Sequence, residues 1–114
     1  MKKLLFFLGA VIIVCSSFQK KKIKKTKLTC IEQKIAGYKR ATPEDKPQSV
    51  YEYQYKGKKV YYITMGCCDK FNELLDSNCR LLGYPDGGFT GRGDGKVPDF
   101  SKDKQHGKLL WKNN

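Results

Sequence analysis

A chain of 114 residues with 39% hydrophobic and 30% charged residues has room for one domain, and a core of that size is marginal unless something staples it. Its net charge of +12 would suggest a nucleic-acid partner if the charge lay in the domain, but it does not. Eight of the 23 basic residues precede position 28, which leaves 15 against all 11 acidic ones, a domain charge of only +4.

The chain opens with the three parts of an export signal over residues 1–17. Lys2 and Lys3 precede the apolar run Leu4 to Val14, and the small residues Cys15, Ser16 and Ser17 follow. Eleven apolar residues are too few to span a bilayer, which takes roughly 20. Cys15 at the end of the run, followed by two serines, resembles a bacterial lipobox and makes it the candidate lipidation residue, although Val14 stands where that pattern has a small residue. Ordinary signal-peptidase cleavage nearby fits as well, so a membrane-anchored lipoprotein and a free periplasmic or secreted protein both stay open.

Residues 18–27 form a lysine-rich spacer with little apolar content to bury. Beside a membrane its lysines would be drawn to anionic headgroups, by about 1 kcal/mol each near the surface. The folded domain is expected over residues 28–114.

Thr29, Cys30, Ile31 and Glu32 spell a capping box. The Thr29 hydroxyl can accept from the amide three residues on, and Glu32 can reach back to the amide of Thr29. Ile31, Ile35 and Tyr38 then recur at helical spacing, Pro43 ends the helix, and residues 42–49 make a loop.

From Val50 to Thr64 the period is two. Gly57 and Lys58 suit the central positions of a II′ turn, so residues 50–56 and 59–64 are expected to form a hairpin. Tyr51, Tyr53 and Tyr55 then share a face with Val60, Tyr62 and Thr64, while Glu52 and Gln54 share the other with Tyr61 and Ile63. The tyrosine face is expected to pack on the helix; a tyrosine row can also serve as a binding platform, although core packing is the commoner use.

Residues 71–75 and 79–82 flank the turn triplet Asp76, Ser77 and Asn78, which suggests a second hairpin, with a short helix over residues 71–76 as the alternative. Six of the 11 glycines fall between Gly83 and Gly95, marking a loop. Ser101 could cap a short helical turn, and Lys108 to Lys112 suit a final strand that takes Trp111, the single tryptophan, into the core. The fold class is α+β, an N-terminal helix packed on a four- to five-stranded antiparallel sheet and stapled by disulfides.

Five cysteines become four once Cys15 is cleaved away or lipidated. Cys30, Cys67, Cys68 and Cys79 remain, an even number that in a short exported chain reads as two bridges. A bond between the neighbours Cys67 and Cys68 would close a strained small ring, so Cys30 is expected to pair with one of them and Cys79 with the other. Metal binding by these thiols lacks the C-x-x-C pair or clustered histidines it would need.

Asp86, Asp94 and Asp99 are the weak candidates for a metal site, because oxygen ligands spaced along a glycine loop could gather a calcium ion. The loop lacks the acidic alternation and terminal glutamate of an EF-hand, and it has no G-x-G-x-x-G fingerprint. Arg92, Gly93 and Asp94 spell the tripeptide read by some adhesion receptors, a match too short to carry meaning in such a loop. His106 is the single histidine and no nucleophile has an activating context, so no catalytic residue and no cofactor are expected.

Taken together these segments resemble a Bacteroidota family of short exported proteins carried as domain of unknown function 6970. The resemblance rests on Cys30-Ile31 and Lys34-Ile35, Ser49 to Tyr53, Gly57, Val60 to Tyr62, Cys67-Cys68-Asp69, Asp76 and Cys79, Pro85 to Gly88, Thr90-Gly91, Gly93 to Gly95, Pro98 to Phe100, and Leu110 to Lys112. Many members carry two further cysteines, where this chain has Leu82 and Val97, so a third bridge clamping the loop is not expected here. The resemblance implies fold and compartment and no activity.

The function expected is that of a non-enzymatic binding or structural module of the cell envelope. Its partner would be an envelope protein or glycan, with membrane contact through the spacer and no nucleic acid. A calcium-dependent module using the glycine loop, and a small hydrolase or inhibitor, are the alternatives.

Overall fold

The computed structural model describes residues 27–66 and 69–114. The expected export signal with Cys15, and the expected spacer before Lys27, lie outside the described residues, as do Cys67 and Cys68.

Helix α1 (Cys30–Lys39) starts at the capping box the sequence announces. The Thr29 hydroxyl accepts from the Glu32 amide, and Glu32 accepts from the Thr29 amide at 2.8 Å. Strands β1 (Ser49–Tyr55), β2 (Lys58–Thr64), β3 (Phe71–Asp76) and β4 (Leu81–Gly87) follow, then the four-residue helix α2 (Phe100–Asp103) and strand β5 (Gln105–Lys112). The five strands form one antiparallel sheet in the order β4-β3-β2-β1-β5. No described helix is long and apolar enough to cross a membrane.

The β1–β2 turn differs from the expected one. Lys56 and Gly57 both have positive φ, 52° and 77°, so they are the two central residues of a I′-type turn, whose twist matches the strands it joins. Tyr55 therefore faces Lys58, Tyr53 faces Val60 and Tyr51 faces Tyr62. Each residue meets a partner two positions from the one expected, a slip that leaves the membership of both faces intact.

What the slip spares, the packing reverses. Helix α1 does not cover the face of Tyr51, Tyr53 and Tyr55 but the opposite one; Ile31 is buried with Val50, Tyr61, Ile63 and Leu75, and Ile35, Tyr38, Leu110 and Trp111 pack around them. The other face gathers Tyr55, Val60, Leu74, Val97 and Phe100, with Tyr53 and Tyr62 at its margin. The reason is chemical. The hydroxyls of Tyr62 and Tyr55 find carboxylates on this second face, Asp86 from β4 and Asp99 from the segment between β4 and β5.

The second hairpin forms as β3 and β4, and its turn is organised by Asp76, whose Oδ1 accepts from the amides of Asn78 and Arg80. Cys79 belongs to that turn, with φ of 64°, and not to a strand. It bonds to Cys30, S–S 2.08 Å, closing a loop across 49 positions. This corrects the expected pairing of Cys30 and Cys79 with the vicinal cysteines: the turn after β3 and the first residue of α1 come together at the same end of the sheet. In α2 the capping position is Asp99, without a side-chain cap, and Ser101 lies inside the helix.

Candidate ligand-binding surface

The β1–β2 turn projects from the sheet beside α2 and the start of β5. Tyr55 at the end of β1 is buried and donates its hydroxyl hydrogen to Asp99. The Lys56 ammonium reaches the other oxygen of the same carboxylate at 3.3 Å. The bond from Tyr55 holds the Asp99 carboxyl below its usual range, and Asp99, followed by the Tyr55 oxygen, holds the Lys56 ammonium above its own. Desolvation and then Asp99 push the Tyr55 phenol up. One carboxylate thus ties the tip of the hairpin to the N-terminus of α2.

Behind this tie stands an aromatic cluster. The Phe100 ring lies 5.6 Å from Tyr53, 5.4 Å from Tyr55 and 5.2 Å from Tyr62 between centroids. Lys104, just past α2, holds its ammonium 5.0 Å from the Tyr53 centroid, 5.6 Å from Tyr62 and 5.5 Å from Phe100. Cation–π attraction of this kind fixes a long, flexible side chain at about 0.5–1 kcal/mol per exposed contact.

The result is an open cleft of about 890 Å³ between the hairpin tip and the α2–β5 connection. Lys56, Lys102, Lys104 and His106 line it with the amides Gln54 and Gln105, and Asp103 is the one acidic side chain in the lining. A second concavity of about 490 Å³ lies on the other flank of the same turn, lined in part by Lys56, Lys58, Lys59, Ser77, Asn78 and Leu82.

The three aspartates singled out in the sequence are not brought together. Asp86 accepts from the Tyr62 hydroxyl at 2.7 Å and from Asn72 Nδ2 at 2.6 Å, and Asn72 in turn accepts from the Met65 amide. Asp94 accepts from the amides of Tyr84 and Lys96 at 3.1 and 3.0 Å, the Lys96 amide doing most to hold its carboxyl low. Asp99 serves Tyr55 and Lys56. Among the described residues no three His, Cys, Asp or Glu side chains are grouped so as to hold a metal ion.

The Arg92-Gly93-Asp94 tripeptide is turn structure. A Cβ on Gly93 would sit 1.9 Å from the Tyr84 carbonyl oxygen, and Asp94 uses Oδ1 on two backbone amides. Val97 is buried in the aromatic core and Leu82 is partly exposed at the rim of the second cleft.

The sequence reading weighed the tyrosine row as a platform but missed the lysines around it. Lys56, Lys58 and Lys59 clustered at a turn were a legible signal; their meeting with Lys102, Lys104 and His106 depends on where α2 docks. Comparison with curated proteins and with solved structures returns no match. A family model does match, over residues 36–113, a span that takes in the end of α1, all five strands and the hairpin-tip cleft, and the chain belongs to the family described as Domain of unknown function (DUF6970).

Proposed function

We propose that this is an exported, non-enzymatic binding module whose working end is the hairpin tip and whose ligand is anionic. The observation that carries the reading is the lining of the larger cleft, where three lysines and a histidine from two separate segments of chain line one space with Asp103, Lys56 being paired with Asp99 at its edge and Lys102 carrying no ion pair among the described residues. Ammonium groups and amides recognise charge and hydroxyls; they do not form the nucleophile–base pair that hydrolysis would need. The signal-like N-terminus and the Cys30–Cys79 bond support an oxidising compartment outside the cytoplasm. Whether the module is lipid-anchored through Cys15 or released is read directly from the intact mass of the mature protein.

The test is calorimetric titration of the purified protein with a carboxylated polymer at low and at high salt. Binding is expected at low salt, weakening as added ions screen the cleft. Lys56→Gln with Lys102→Gln should lower affinity about tenfold, on the usual worth of one or two partly exposed charge contacts. A double variant that binds as tightly as the unaltered protein would remove the hairpin tip as the site.

A further inference from the structure

We propose that the anionic ligand is an extended acidic polysaccharide that crosses the β1–β2 turn, with one stretch in each of the two clefts. This rests on the reading of the hairpin tip as the binding end and adds the ligand's class and path. Lys56 lines both clefts, and its left-handed backbone at the turn sets it between them. The larger cleft continues the cationic lining on one flank with Lys102 and Lys104 against Asp103, and the smaller one on the other with Lys58 and Lys59 against Asp76, so that lysines outnumber carboxylates in both. The charge therefore forms a band around the turn, a shape that suits a linear chain carrying charge at intervals.

The chemistry of the band favours a polysaccharide over other polyanions. Its cations are lysine ammonium groups, compact charges that donate to a carboxylate or sulfate from many directions; no guanidinium fork lines either cleft. Neutral hydrogen-bonding groups are interleaved with them, Gln54 and Gln105 on one flank and Ser77 and Asn78 on the other, as ring hydroxyls would require. Single-stranded nucleic acid needs ring faces on which bases stack, whereas Tyr53, Tyr62 and Phe100 turn theirs toward Lys104 and one another. A bilayer is flat, and both sites are concave.

The experiment compares short and long oligogalacturonates, a dimer and a decamer, against the purified protein and two variants chosen from exposed positions. One is Lys58→Gln/Lys59→Gln in the smaller cleft. The other is Lys102→Gln/His106→Asn in the larger, asparagine being chosen because it tolerates the left-handed backbone of His106. Melting curves matching the unaltered protein confirm that both fold.

The decamer is expected to bind the unaltered protein at least about tenfold more tightly than the dimer, because occupying the first cleft raises the effective concentration at the second. Either variant should abolish that advantage. If one of them keeps it, the chain occupies a single cleft, and this inference fails while the anionic reading stands. If oligo-dA of equal charge, or vesicles rich in anionic lipid, bind more tightly than the decamer, the polysaccharide class is wrong. Failure of every anion to bind removes the underlying reading as well.

Discussion

The two faces of the sheet are closed by different physics. On one, the apolar side of a capped helix covers Val50, Tyr61, Ile63 and Leu75, and the Cys30–Cys79 bond fastens the helix start to the β3–β4 turn. On the other, a chain segment whose one regular element is the four-residue α2 does the covering, held by Phe100 among the rings and by the Asp99 carboxylate on the Tyr55 hydroxyl, while Asp86 of β4 takes the Tyr62 hydroxyl. The first face is closed mainly by side-chain packing, with Tyr61 the one buried residue there that carries a hydroxyl. The second is a core built from hydrogen bonds as much as from area, and its outer margin, where Lys104 lies over the rings, continues into the cleft. The two solutions differ in what they leave at the surface: the first closes over packed side chains, and the second leaves a polar, lysine-lined margin.

Mutations can break this contrast. Phe100→Ala should be the most damaging, about 3–5 kcal/mol in a denaturant titration, the usual cost of emptying a buried aromatic site, because Phe100 is 1% exposed and touches three tyrosines. A loss under about 1 kcal/mol would mean the second face is not a core. Replacing Cys30 and Cys79 together by serine should lower stability by about 2–4 kcal/mol, through loss of a loop constraint on the unfolded chain. An unchanged melting temperature under reducing conditions would contradict it.

Tyr62→Phe sharpens the comparison. It removes the hydroxyl that satisfies Asp86 without emptying volume, and should cost about 1–3 kcal/mol; a neutral result would mean that Asn72 alone suffices for that carboxylate. A tyrosine on each face links stability to pH. Burial raises the Tyr38 phenol on the helix face to about 12, and burial and then the Asp86 bond raise Tyr62 on the other. A folded-state value above the unfolded one gives stability that is fully present below about pH 10 and is lost as pH rises through the folded value. Alkaline unfolding toward pH 12 is therefore expected, and Tyr62→Phe should make it shallower. The smallest effect is Thr29→Ala, about 1 kcal/mol for loss of the helix cap, measured as a shift in the denaturation midpoint.

Much of this architecture was legible because it is local. The capping box, the period-two run and the Asp76 turn each state their structure within a few residues, and each forms where its residues indicate. The face assignment was not legible, because it turns on whether a hydroxyl finds an acceptor: Tyr55 and Tyr62 are satisfied by residues 44 and 24 positions away. The disulfide escaped for a similar reason. Spacing alone does not reveal that the β3–β4 turn returns to the start of α1. The candidate site was half legible, its turn lysines lying close together in sequence while the α2–β5 segment delivers the rest.

One consequence of the strand order concerns what happens when β5 is missing. Strand β1 lies between β2 and β5, and its β5 partner comes some 60 residues later in the chain, outside the loop closed by Cys30 and Cys79. A chain cut after α2 would keep the residues of both hairpins and the Cys30–Cys79 pair but lose Leu110 and Trp111 from the helix face, and it would present β1 as a bare edge carrying a row of tyrosines. Such an edge invites another copy to pair in register. The last strand thus serves as a lid against self-association as well as a piece of the fold.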